Sequence, residues 1–125
     1  MTKQESLNDK WDVQLRKGTL ELVILAALKE RTLYGLELLK LLHSFETMKI
    51  TEGTLYPLMD RLKRDELVNA FWRQEGDTRP RKYYQLTPQG SVKLEALTNR
   101  WRQSVEDIEN LIQHSNPQTT NPIGD

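Results

Sequence analysis

Two short stretches of the 125-residue chain carry residues able to do chemistry, and both point to holding phosphate rather than to making bonds. In "RPRK", residues 79–82, three of four positions are cationic, namely Arg79, Arg81 and Lys82. Solvated loops rarely concentrate three cations around a proline, whereas a loop that touches a nucleic-acid backbone needs such a cluster. The second stretch is "TEGTLYPLMDRLKRDEL", residues 51–67. As a helix it has Leu55, Leu58, Met59 and Leu62 on its inner side and Gly53, Thr54, Pro57, Asp60, Arg61 and Arg64 on its outer side. Small residues at the front of the outer side let the backbone approach a crowded surface. Thr51 stands in the cap position of a helix start whose free N–H groups and positive dipole end suit a phosphate. Pro57 removes the bond to the Gly53 carbonyl, which is tolerable because it falls near the helix start. Arg61 and Arg64 suit phosphates, and Thr54 suits a phosphate or a base edge. The bland reading is a solvated face on which Asp60 pairs with Arg64 four residues on. Tyr56, and Tyr34 upstream, divide evenly between packing and placing a hydroxyl on a phosphate.

Bond-making chemistry has little to work with. The chain has no cysteine, no histidine paired with a carboxylate at catalytic spacing, and no glycine-rich phosphate loop after a strand, so an enzyme is not expected. Disulfides and thiolate zinc sites are excluded, and the two histidines, His43 and His114, stand alone, so no metal or other cofactor is expected. The start "MTKQESLNDKW" has no apolar run, and no stretch approaches the roughly 20 apolar residues of a membrane span, so a cytoplasmic protein with no membrane partner is expected. Charge argues the other way from the basic cluster. Eighteen Lys and Arg balance eighteen Asp and Glu. A whole-domain basic character is the usual mark of a nucleic-acid binder, so the cationic patch must be local.

The surrounding elements must hold those two stretches together. Leu7, Trp11 and Leu15 recur every fourth residue, which predicts a helix ending near Gly18. Thr19 can cap a second helix, "LELVILAALKE", apolar on most sides and central to a core. Thr32 can cap a third over "LYGLELLKLLHSF", with Leu36, Leu39, Leu42 and Phe45 inward. After residue 67 the period changes to two. Val68, Ala70 and Trp72 share a face with Tyr84 and Leu86 of a partner strand, so a β-hairpin with a long basic tip is predicted, Tyr83 and Tyr84 packing across it. "TPQG" opens the last helix, with Thr87 as cap and Pro88 at the first helical position. That helix carries a heptad seam of Leu94, Leu97, Trp101, Ile108 and Leu111, broken by Ser104, and needs a partner surface. The polar tail holds two prolines and is expected to be disordered.

Three helices followed by a two-stranded ribbon are the plan of a winged helix-turn-helix domain, to which the family resemblance set out below adds a final helix that dimerises. The expected divisions are residues 1–18, a helix that can swap onto a partner; 19–87, the DNA-binding domain; 88–113, the dimerisation helix; and 114–125, the tail. "GTLELVILAALKERTLYGLELLKLL", "TEGTLYPLMDRLKRDELV" and "RPRKYYQLTPQG" resemble, in order and spacing, the PadR family of transcriptional regulators. The resemblance spans about residues 15–113, and the joint occurrence of "YG", "EGTLYP", "RL" and "RPRKYYxLT" is specific. It implies a mainly α fold with a small hairpin, and a homodimeric repressor on double-stranded operator DNA. Under it the DNA contacts are drawn from Tyr34, Thr51, Gly53, Thr54, Tyr56, Pro57, Arg61, Arg64, Arg79, Arg81 and Lys82. The short branch it is most similar to binds flat aromatic compounds against a tryptophan of the last helix. That position is Trp101, with Trp11 a second wall if its helix swaps; ordinary interface packing is the equal alternative. Two departures bear on this. The hairpin tip has Asp77 and Thr78 where two glycines are common, which weakens its phosphate affinity. Glu66 replaces a common glycine, so the helix before it is expected to close without a left-handed residue. Neutral charge and Asp77 leave a second reading open, a protein-interaction adaptor that keeps the fold without DNA binding.

Overall fold

Hydrophobic periodicity, caps and one left-handed turn account for most of the architecture. A computed structural model describes residues 2–114; apart from His114, the expected tail lies outside the described residues. Helix α1, Lys3–Ala27, is opened by a capping box: the Glu5 N–H donates to Thr2 Oγ1 at 3.1 Å and the Thr2 N–H to Glu5 Oε2 at 3.3 Å. The expected break at Gly18 does not occur. Nothing lies within 4 Å of a Cβ there, and the Thr19 hydroxyl, expected as a cap, donates instead to the Leu15 carbonyl at 2.9 Å inside the helix. A single glycine weakens a helix by only about 1 kcal/mol and does not end it. The second half of α1 supplies the core residues Ile24, Leu25 and Ala27, and the C-cap Leu28 joins them.

A two-residue strand, β1 (Leu33–Tyr34), follows and displaces the expected start of the next helix. Thr32 is not a cap; its hydroxyl donates to Gln85 Oε1 at 3.3 Å. Helix α2 runs Gly35–His43, and Gly35, Leu38 and Leu42 face inward, while Leu36 and Phe45 are exposed and Leu39 is half-buried. Helix α3, Glu52–Arg64, buries Leu55, Met59 and Leu62 and half-buries Leu58.

The end of α3 departs from expectation. Glu66 adopts φ +63°, the left-handed conformation that was not expected there without glycine. Its N–H reaches the Lys63 carbonyl at 3.0 Å, and the Leu67 N–H reaches the Leu62 carbonyl at 2.9 Å. That bond pair is a Schellman closure, with the buried Leu62 and Leu67 as its apolar contact. Strand β2 (Val68–Arg73) leaves directly, and β3 (Arg81–Leu86) returns. The sheet has three strands in the order β1-β3-β2, all antiparallel, rather than the two expected. Val68 faces Leu86, Ala70 faces Tyr84 and Trp72 faces Lys82, which is the expected face pairing.

Helix α4, Pro88–Gln113, starts from Thr87 as expected. The Gly90 N–H donates to Thr87 Oγ1 at 2.9 Å, and that hydroxyl donates to the Glu66 carbonyl at 2.6 Å. The Thr87 N–H donates to the Leu67 carbonyl at 3.1 Å. Gly90 lies so close to this carbonyl that a Cβ would collide with it. Residues to Leu94 form one compact unit; the rest of α4, from Glu95, is a second. In that second unit Trp101, Val105, Ile108, Leu111 and Ile112 are all exposed, and Val105 steps around the polar lapse at Ser104.

Two substitutions test this closure by urea denaturation. Glu66→Gly relieves a left-handed strain of roughly 1–2 kcal/mol, partly offset by glycine's larger unfolded entropy, so a gain of up to about 1 kcal/mol is expected. Gly90→Ala forces a methyl onto backbone and is expected to lose about 1–3 kcal/mol or more.

Candidate nucleic-acid interface

The outer face of α3 is open from end to end: Gly53, Thr54, Pro57, Asp60, Arg61 and Arg64 are exposed. Thr51 occupies the cap position with extended backbone, but its hydroxyl makes no bond to the helix backbone; it donates to Thr54 Oγ1 at 3.3 Å. The Thr51 carbonyl accepts from the N–H groups of Thr54 and Leu55. Pro57 lies inside the helix without ending it.

The two arginines of α3 have different surroundings. Arg61 Nη2 lies 2.8 Å from Glu21 Oε1 of α1, and the other oxygen of Glu21 lies 3.4 Å from Lys93 Nζ at the root of α4. Arg64 forms no ion pair among the described residues, and the expected Asp60–Arg64 pair is absent there. Glu21 as an anchor is invisible in sequence, because forty residues separate it from Arg61.

Across from α3 stands the wing, formed by β2, β3 and the turn between them. Arg79 and Arg81 are exposed and Lys82 is half-buried. The Arg81 guanidinium lies 4.5 Å from the centre of the Tyr34 ring, and the Lys82 ammonium 5.9 Å from that of Tyr84. Such cation–π contacts hold a charge in place while leaving it open to a further anion. Tyr34 itself packs edge-on to Tyr83 at 5.4 Å, and Phe71 stacks on Tyr83 at 6.0 Å with the planes 17° apart. Arg73, which sequence reasoning did not single out, lies 4.1 Å over Tyr83 on the same side as Phe71 and pairs with Glu75 at 3.2 Å. Gly76 turns the tip with φ +60°.

Between α3 and the wing lies an open cleft of about 690 Å³. Its lining joins Tyr56 and Asp60 of α3 to Trp72, Arg79, Pro80, Arg81, Lys82 and Tyr84 of the wing, with Tyr34, Gly35 and Leu36 at the third side. The candidate residues Tyr34, Tyr56, Arg79, Arg81 and Lys82 therefore meet in one place. Thr51, Gly53, Thr54, Pro57, Arg61 and Arg64 are not in the lining; they are the neighbouring outer face of α3. The Tyr56 ring packs on Gly35, occupying the space of a side chain at that position. Burial, with Glu52 nearby, holds the Tyr56 phenol above its ordinary pKa. Burial likewise raises Tyr84, helped by Asp60 and Tyr56. Both remain neutral phenols at physiological pH, and Tyr56, at the cleft wall, can act as a hydrogen-bond donor.

Trp101 is 39% exposed on α4 and Trp11 is 64% exposed on α1, each within its own unit. Among the described residues no group of three or more His, Cys, Asp or Glu could hold a metal ion, and no helix is long and apolar enough to cross a membrane.

The model of the transcriptional regulator PadR-like family matches residues 24–96. A crystal structure of a PadR family transcriptional regulator from Eggerthella lenta is 32% identical, with a TM-score of 0.76 over 89% of this chain and 96% of that one. A PadR-like regulator from Bacillus cereus is 31% identical, with a TM-score of 0.73 over 80% of this chain and 97% of its own. An uncharacterized protein of Lysinibacillus sphaericus is 30% identical over 95 residues, 74% of this chain and 87% of its own. With an exposed helix face, a cationic wing beside it and a family match over most of the compact unit, the chain belongs to the PadR family of winged helix-turn-helix, DNA-binding transcriptional regulators.

Proposed function

We propose that this regulator is a homodimeric repressor that holds a two-fold pseudo-symmetric operator and releases it when a small planar aromatic effector binds. One observation carries the DNA-facing part: the wing cations Arg79, Arg81 and Lys82 line the same cleft as Tyr56 and Asp60 of α3. A duplex on the outer face of α3 then meets the wing at the adjacent backbone. In this reading Gly53 and Pro57 permit close approach, and Thr51 with Thr54 presents paired hydroxyls at the helix front. Tyr34, Tyr56, Arg64, Arg79, Arg81 and Lys82 address phosphates. Arg61 joins them only by exchanging Glu21 for a phosphate, so Arg64 is the stronger contact of the two.

Support for the dimer is the exposed stripe Trp101, Val105, Ile108, Leu111 and Ile112, an apolar surface of the kind that marks an interaction site. The effector seat is assigned to Trp101 repeated across the two-fold axis, with Trp11 of the partner subunit as second wall. A flat residue duplicated in this way leaves a slot suited to an aromatic guest. The effector acts by binding the two spacings of the reading heads unequally, since equal affinity would shift nothing.

Gel shifts and fluorescence titrations on the chain's own upstream DNA test the proposal. Arg81→Ala is expected to weaken all duplexes alike and to lower the slope of log K against log salt by about 0.9, the share of one phosphate. Thr54→Ala is expected to alter sequence preference; equal loss on every duplex makes it a backbone contact. A planar aromatic compound is expected to quench Trp101, lose that effect in Trp101→Phe, and release the DNA. Absence of any shift at low salt would favour the adaptor reading instead.

A further inference from the structure

Trp72 is 69% exposed at the outer end of β2. Its side of the sheet begins in the core, where Val68 is 1% and Tyr84 3% exposed, and ends open, at Trp72 opposite Lys82. The reverse side of the same strand is covered: Phe71 is stacked on Tyr83, and Arg73 lies over both rings. The chain thus shields one aromatic residue of β2 and leaves its larger neighbour bare, at the wall of the cleft. The cleft that Trp72 helps to line also takes in Arg79, Arg81 and Lys82, with Asp60 the single acid in its lining. Lys82 is directly opposite Trp72, while Arg81 belongs to the reverse face and reaches the cleft over Tyr34. An occupant must therefore be anionic and also offer an apolar face beside each charge. An apolar protein helix lacks the charge, and inorganic anions lack the apolar face. A sugar–phosphate backbone alternates the two at the spacing of one nucleotide.

We propose that Trp72 is a DNA contact, its indole lying against a deoxyribose of the strand whose phosphates the wing cations hold. The contact rests on the DNA-facing reading above and adds to it an uncharged, sequence-independent component. It makes the cleft a seat for one backbone strand, with Trp72 on the sugar and the cations on the flanking phosphates.

The test uses the full chain, with Trp72→Ala and Trp72→Phe, on the operator duplex and on an unrelated duplex across a range of salt. Trp72→Ala is expected to weaken both duplexes by about three- to tenfold, from the apolar area the indole would bury against the sugar. Its salt slope is expected to match wild type, because no charge is lost. Trp72→Phe is expected to restore most of the affinity while losing part of the duplex-dependent change in tryptophan emission. Unchanged affinity in Trp72→Ala would overturn the contact and leave the DNA-facing reading intact. A flattened salt slope in Trp72→Ala would also overturn it, since Trp72 would then only be holding the wing cations in place. So would an emission change that follows protein concentration instead of DNA, which would assign Trp72 to a second copy. Failure of the wild-type chain to bind either duplex would remove the DNA-facing reading itself.

Discussion

The turn at Glu66 and Leu67, with the first turn of α4 locked onto it, is the constraint on which the cleft between α3 and the wing depends. α3 closes through a left-handed residue, so the chain reverses at once and β2 begins two residues later. A looser exit would send β2 away from α3 and open the cleft. Thr87 secures the reversal by three bonds, one donated to the Glu66 carbonyl, one donated to the Leu67 carbonyl and one accepted from Gly90. Gly90 is required because any side chain would strike the Leu67 carbonyl. The strain at Glu66 is thus retained by a junction that over-determines it.

Electrostatics then act on a scaffold whose total charge is zero. Recognition of a polyanion is possible because charge is sorted in space. The wing puts Arg81 and Lys82 over tyrosine rings, which orient them without neutralising them. On α3 the opposite is done to Arg61, which Glu21 holds, while Arg64 is left open. Net charge alone would have argued against a nucleic-acid partner, yet Arg79, Arg81 and Lys82 of the wing line one cleft in which Asp60 is the single acid.

Legibility in the sequence followed the length of the signal. α3 and α4 each carry a full apolar stripe and a recognisable start, and the hairpin alternates over six residues a strand; these could be read. β1 is two residues long, too short for any period, and it moved the start of α2 to Gly35. Gly18 and Thr19 look like a helix boundary, but both are also permitted within a helix, and α1 runs on through them to its buried residues Ile24, Leu25 and Ala27. Glu66 misled because left-handed backbone is usually a glycine signal; only the Schellman bonds and the packed neighbours show that a glutamate is being forced into it. Of the site, the cationic tip and the outer face of α3 were visible as composition. That Glu21 holds Arg61, and that Trp72 is bare, depend on contacts and exposures across the fold that spacing does not encode.

The same junction limits how any signal carried by α4 can reach DNA. Its first turn cannot slide against α3 without breaking the Thr87 bonds, and it cannot rotate without moving Gly90 off the Leu67 carbonyl. Glu21 adds a further tie, since one carboxylate spans Arg61 of α3 and Lys93 of α4. Such partly exposed pairs are individually weak, on the order of 1 kcal/mol or less, but here they reinforce a contact already fixed by backbone. Reshaping α3 relative to the root of α4 therefore costs several interactions at once, whereas moving the whole compact unit as a body costs none of them. Movement at α4 is for that reason better suited to carrying the junction and α3 along together than to changing how they fit each other.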